Sequence, residues 1–296
     1  MIFHKYHALG NDYIVLDPNT FTMDLKPDRI RNICDRHFGL GADGILFGPL
    51  QPSSPSFSKV KELAFNEKDE KPLCGVRIFN PDGSEAEKSG NGVRIFCRYL
   101  YDINRISADE PFQLVTLGGE VGCRVSQNAN EVAVEMGHVS FNADDIPVSE
   151  GKGEILNDTI TAGNYTYTYS AATIGNPHCI ILKDELSVEE MKESGPLLEN
   201  HTQFPNRTNV QFMQVLDRHN LQIEIWERGA GYTLASGSSA SACAATARKL
   251  GLCDCYVAVH MPGGNLDIEI SDDYHINLKG PVTAVASGTL SSEMTG

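Results

Sequence analysis

The stretch EKSGNGVRIFCRYLY, residues 87–101, decides how this chain is read. Its apolar residues Val93, Phe96, Cys97, Leu100 and Tyr101 recur at the one-face spacing of a buried helix. Ser89-Gly90 opens that helix, and serine is a favoured N-cap because its side-chain oxygen accepts a first-turn N–H. Upstream, residues 75–79 read as a short strand entering the turn Asn80-Pro81-Asp82-Gly83. The same order returns later. Residues 221–226 predict a strand, ERGAGYTLASGSS follows at 227–239, and Ser236-Gly237 precedes a small-residue helix over 240–250, stopped by Gly251. Two strand, turn, Ser-Gly and helix modules in one chain predict an α/β protein with two similarly built halves.

Working outward, FHKYHALGNDYIVLD at 3–17 predicts a strand, a Gly10-Asn11 turn and a second strand, because 13–16 is a β-favouring run. Residues 25–37 have helical spacing. The Pro-, Ser- and charge-rich segment 51–74 predicts a surface excursion. Strands fit 112–116, 119–126 and 131–136, and a charged turn around Asp144 suits a seam between halves. Beyond it, strands fit 165–174, 179–182 and 209–216, with a helical pattern over 187–191.

With 296 residues, 41% of them hydrophobic, the chain can bury one large core or two medium ones. A formal net charge of −15 and no clustered Lys or Arg argue against a nucleic-acid partner. No apolar run reaches the roughly 18 residues of a membrane span, and the N-terminus lacks a signal-peptide layout. A cytoplasmic protein with no membrane partner is expected. The eight cysteines show no paired zinc-type spacing, so free thiols and no metal site are expected, with Cys253-Asp254-Cys255 the one close pair.

Two serine-opened helix N-termini offer unpaired N–H groups and positive dipole ends, which suits a carboxylate. Helix physics alone accounts for Ser89 and Ser236 equally well as ordinary N-caps.

HALGNDYIVLD, DRHFGLGADG, RIFNPDGSEAEKSGNGVRIFCRYL, IGNPHCI, FPNRTNVQF and WERGAGYTLASGSSASACAA, taken in order, resemble the diaminopimelate epimerase family over nearly the whole chain. The resemblance implies two similar domains, 1–137 plus 283–296 and 138–282, each a strand-rich, barrel-like sheet wrapped around a central helix, with the active site in the cleft between them. It implies an isomerase that needs neither pyridoxal phosphate nor metal, acts on a small amino acid and often forms a homodimer. If the chemistry follows the family, the chain interconverts L,L- and meso-2,6-diaminopimelate on the route to lysine.

In that family two cysteines face the substrate α-carbon from opposite sides, and their positions match Ser89 and Ser236 here. Gly90 and Asn91, and Gly237 and Ser238, match the residues whose backbone holds the α-carboxylate. Asn11, Asn80, Asn176, Asn209 and Arg228 match substrate-holding residues, Arg228 being suited to a distal carboxylate. His178 and Glu227 match polar residues flanking the reactive pair. The chain departs from the family in Tyr232, in the serine-rich turn 238–241 and in the long segment 51–74. Three readings fit the serine pair: an engineered double substitution of a true diaminopimelate epimerase, a natural related isomerase, dehydratase or racemase for another amino acid, or a non-catalytic amino-acid-binding protein.

Overall fold

The structure, a computed structural model, describes residues 1–51, 72–149 and 153–294. Most of the surface excursion expected at 51–74 lies outside the described residues. The chain divides into unit 1, Met1–Val134 with Gly280–Gly296, and unit 2, Glu135–Lys279.

Unit 1 begins with β1 (Ile2–Ala8) and β2 (Asn11–Leu16), joined by a two-residue turn. Leu9 and Gly10 both have positive φ in that turn, 55° and 87°, which is the type I′ geometry that matches strand twist. The turn is therefore one residue earlier than the sequence suggests, and Asn11 is already strand. Helix α1 (Pro27–Cys34) crosses over from β2 to the parallel strand β3 (Ile45–Leu50) and seals the β2–β3 face with Ile30 and Ile33. It starts at its proline, whose fixed φ suits a first turn. It stops short of the expected residue 37 because the Asp35 carboxylate accepts the His37 and Phe38 N–H groups, both at 2.7 Å, and draws the chain away. The strands β4 (Cys74–Phe79), β5 (Glu85–Ala86), β6 (Phe112–Thr116), β7 (Gly119–Val125) and β8 (Glu131–His138) extend the sheet. β18 (Thr283–Thr289) returns to pair with β1. Between β5 and β6 runs α2 (Gly90–Asp102), buried on nearly every side against β1, β2, β3 and β7.

Unit 2 repeats this plan. Its strands are β9 (Asp158–Ala162), β10 (Tyr165–Thr173), β11 (Pro177–Leu182), β12 (Asn209–Asp217), β13 (Asn220–Glu227), β14 (Gly231–Thr233), β15 (Tyr256–Met261), β16 (Gly264–Ile270) and β17 (His275–Pro281). Following the pairings, β9–β10–β11–β12–β13–β15–β16–β17 runs antiparallel, antiparallel, parallel, antiparallel, parallel, antiparallel, antiparallel. The unit 1 series β18–β1–β2–β3–β4–β6–β7–β8 has the same sequence of directions. Helix α3 (Val188–Glu199) makes the crossover from β11 to β12, as α1 does between β2 and β3. Helix α4 (Gly237–Lys249) lies against β10–β13, β15 and β16 and corresponds to α2. α3 runs well past the expected residue 191, through Gly195-Pro196. A Cβ on Gly195 would sit 2.8 Å from Trp226 Cγ, so this glycine is the seat of the indole.

Seven of the eight cysteines are buried, Cys255 is partly exposed, and all are free. Among the described residues, no helix is long and apolar enough to cross a membrane.

Candidate active site

In unit 1, Ser89 has the extended N-cap conformation, φ −141° and ψ 117°, and its Oγ accepts the Gly92 N–H at 3.0 Å. Gly90 and Asn91 are thus left as first-turn donors without an intrahelical acceptor. The Asn91 side chain is held at both ends. Its Oδ1 accepts from Arg94 Nη2 at 2.9 Å, and its Nδ2 donates to Asn11 Oδ1 at 3.0 Å. Asn11 in turn donates to Asp43 Oδ2 at 3.0 Å. Arg94 is fully buried, and its Nε has no hydrogen-bond partner among the described residues. Burial pushes its guanidinium down to about 10, which leaves it a cation at neutral pH beside the positive end of α2.

Below this chain, Arg36 bridges Asp12 and Asp43. Burial alone pushes the Asp12 carboxyl up, but hydrogen bonds from Arg36 and Lys5 outweigh it and hold the group at about 2. Asn80 stays in its own turn, where Nδ2 donates to Ser84 Oγ at 2.9 Å. Tyr13 Oη lies 3.3 Å from Ser89 Oγ.

In unit 2, Ser236 caps α4 with φ −144° and ψ 123°, nearly the angles of Ser89. Its Oγ accepts the Ser239 N–H at 3.4 Å and lies 3.4 Å from Ser238 Oγ. Gly237 and Ser238 are the free donors here. A polar chain backs them. Gln211 Nε2 donates to Ser239 Oγ at 3.0 Å, His178 Nε2 lies 3.0 Å from Asn176 Oδ1, and Asn176 Nδ2 lies 3.4 Å from Ser238 Oγ. His178 is fully buried on β11 between β10 and β12. Burial pushes it down to about 3, the neighbouring Gln211 side chain only partly opposes this, and the nearby Arg228 charge adds to it. The ring is therefore neutral and acts as a hydrogen-bonding prop for Asn176.

A pH effect follows from this burial. An unfolded histidine titrates near 6.5, so between pH 6.5 and 3 the unfolded chain holds one more proton than the folded one. Stability is complete above 6.5 and falls below it by up to about 1.4 kcal/mol per pH unit from this group. Urea unfolding at pH 7.5 and 5.5 is expected to show His178→Gln losing about 1.4 kcal/mol less than the parent over that interval. Equal losses contradict the burial argument.

The Glu227–Gly231 turn carries the exposed Arg228. Asn209 is 5% exposed and holds the base of the turn: Nδ2 donates to Pro177 O at 2.9 Å, and Oδ1 accepts the Arg228 N–H at 3.0 Å. The Arg228 guanidinium donates to Asn206 O at 3.2 Å and has no carboxylate partner among the described residues. Glu199, 6% exposed, fixes the turn from below. Its Oε1 accepts the Gly229 N–H at 2.8 Å and Arg207 Nη1 at 2.9 Å, and its Oε2 accepts Trp226 Nε1 at 2.8 Å. Tyr232 turns its hydroxyl to Glu224 at 2.6 Å.

Of the sequence-predicted residues, Asn11, Ser89, Gly90 and Asn91 come together in unit 1, while in unit 2 Asn176, His178, Ser236, Gly237 and Ser238 form one group and Asn209 holds the turn that carries Glu227 and Arg228. Asn80 bonds within its turn. Sequence reasoning missed Tyr13, Arg94, Glu199 and Gln211. Two of these had a signal: Tyr13 shares a strand face with Asn11, and Arg94 lies three residues from Asn91 on a helix.

The family model described as diaminopimelate epimerase matches residues 3–142 and 170–285. Diaminopimelate epimerase 2 of Nostoc sp. is 52% identical over 294 residues, covering 99% of this chain and 97% of its own. Diaminopimelate epimerase 1 of the same organism is 35% identical, covering 97% and 99%. Among solved structures, a hydroxyproline epimerase from Agrobacterium vitis superposes with a TM-score of 0.68 at 13% identity, covering 97% of this chain and 91% of its own. A predicted epimerase from Pseudomonas aeruginosa gives 0.62 at 16%, covering 98% of each chain. These two show the fold. With the repeated sheet order and the paired serine-capped helices, the sequence matches lead to one conclusion: the chain belongs to the diaminopimelate epimerase family and is an isomerase.

Proposed function

We propose that this chain interconverts L,L- and meso-2,6-diaminopimelate by moving the α-proton, and that it does so slowly because hydroxyls stand at both acid/base positions. The observation that carries this reading is the matched pair of serine-capped helix starts, whose free N–H groups suit a carboxylate. Arg228, lacking a carboxylate partner among the described residues, suits the carboxylate at the far end of the substrate. Relatives named diaminopimelate epimerase support that substrate. Ser89 and Ser236 then take the positions that remove and return the proton. By the family resemblance Glu227 is a further polar residue of the site, and His178 orients Asn176. A serine hydroxyl, close to water in acidity, is far harder to ionise than a thiol near 8.5, by roughly 7 pKa units or about 10 kcal/mol, so its base form is far scarcer.

Calorimetric titration tests the substrate. Both diaminopimelate forms are expected to bind, with L-lysine, which lacks the second carboxylate, at least about tenfold weaker. Arg228→Met is expected to erase the difference. Equal binding of lysine and diaminopimelate by the parent contradicts the proposal. A second reading, a protein that binds the amino acid and moves no proton, is favoured by Ser236, whose Oγ meets only a hydroxyl and an N–H among the described residues.

A further inference from the structure

The two capping serines differ in what their hydroxyls touch. Ser236 Oγ meets Ser238 Oγ and the Ser239 N–H, and neither has the acidity to relay a proton. Ser89 Oγ meets the Gly92 N–H and, at 3.3 Å, the phenol of Tyr13. Of the two serines, only Ser89 has among the described residues a hydroxyl neighbour far more acidic than itself.

The placement of Tyr13 is built in. It lies on β2 opposite Tyr6, is 6% exposed, and its ring passes over the backbone at Gly44. A Cβ on Gly44 would come within 2.6 Å of Tyr13 Cε1 and 3.0 Å of Cδ1, so the glycine leaves the space the ring occupies. A ring held there on two torsions keeps Oη at Ser89. Because Ser89 Oγ already accepts the Gly92 N–H, its own proton is free to point at Oη.

We propose that Tyr13 is the proton acceptor for Ser89, so that the pair works as a base where serine alone does not. This rests on the proton-transfer reading above. In the step, the Cα–H bond breaks and its proton goes to Ser89 Oγ, while the Ser89 O–H bond breaks and that proton goes to the Tyr13 phenolate. The electron pair of the C–H bond stays on the substrate, delocalised into its α-carboxylate, and the negative charge passes from Tyr13 to substrate. The chemical advantage lies in the starting base: a phenol is a far stronger acid than an aliphatic hydroxyl, so its base form is far more accessible than a serine alkoxide. With no such partner at Ser236 among the described residues, the proton lost at the Ser89 face is returned mostly from that same face. The chain as it stands therefore exchanges an α-proton with solvent faster than it inverts the centre.

The test is α-proton exchange of diaminopimelate in D2O, followed by NMR, for the parent, Tyr13→Phe, Ser89→Cys and the Tyr13→Phe, Ser89→Cys double variant. Phenylalanine keeps the ring over Gly44, and thermal melting confirms that each variant folds. Tyr13→Phe is expected to lower exchange about 100-fold in the serine background. In the Ser89→Cys background, where a thiolate is the base, the same change is expected to cost at most about threefold. Equal losses in both backgrounds mean that Tyr13 only supports the structure, and they overturn the proposal. No exchange by the parent, with exchange by a Ser89→Cys, Ser236→Cys variant, overturns the role of Tyr13 and leaves the proposed function standing. No exchange by either overturns both.

Discussion

Replacing both Ser89 and Ser236 by cysteine is expected to raise the rate of diaminopimelate epimerisation about 1000-fold. The gap between hydroxyl and thiol is roughly 7 pKa units, and a proton transfer that is about half complete at its transition state expresses about half of it. The local structure favours the gain, because both positions are N-caps and a helix N-terminus stabilises a thiolate. The substitution is also small: a cysteine at the cap keeps the extended backbone and lies against the same first turn. Because Tyr13 touches Ser89 and, among the described residues, no such group touches Ser236, the single change Ser236→Cys is expected to recover more activity than Ser89→Cys. Appearance of the second diastereomer by chiral chromatography measures this. A double variant no faster than the parent means that the serines do not stand at the acid/base positions.

Removing Glu199 is expected to be strongly destabilising to unit 2. Its carboxylate is 6% exposed and receives three donors, from Gly229, Arg207 and Trp226. Glu199→Ala strands the Trp226 indole N–H and the Gly229 N–H, and it leaves Arg207 without its counter-ion. Arg207 is half exposed, so most of the loss comes from the two N–H groups rather than from the ion pair. A cost of about 3 kcal/mol is expected, read by urea denaturation. Glu199→Gln keeps the shape and one acceptor oxygen, so its cost is expected to be about half as large. Both changes loosen the turn that carries Arg228, so diaminopimelate is expected to bind more weakly while lysine is little affected. A loss below about 1 kcal/mol for Glu199→Ala contradicts the assignment of this carboxylate as the anchor of the turn.

The features legible in the sequence were those written locally. Ser89-Gly90 and Ser236-Gly237 announced their helices because an N-cap is a matter of adjacent residues, and the apolar spacing after Val93 marked α2 as buried. What escaped depends on partners distant in sequence. α3 continues through Gly195-Pro196, which reads as a breaker until Trp226 is seen resting on the glycine. His178 follows a proline and would ordinarily be read as polar surface, but β10 and β12 flank its strand and bury it completely. β15–β17 alternate between more and less buried residues, β18 is exposed along almost all of its length, and none of the four carries a motif that marks it as a strand. Tyr13 and Ser89 lie 76 positions apart, so only the fold brings the phenol to the hydroxyl. The same holds for Glu199, whose three partners come from later in the chain.

The most direct test of the central claim is α-proton exchange in D2O by the Ser89→Cys, Ser236→Cys variant, by NMR, across diaminopimelate and a panel of other amino acids. The account predicts rapid exchange with inversion for diaminopimelate and at least about 100-fold slower exchange for amino acids lacking the second carboxylate. Faster exchange of another amino acid, or none of diaminopimelate, contradicts it.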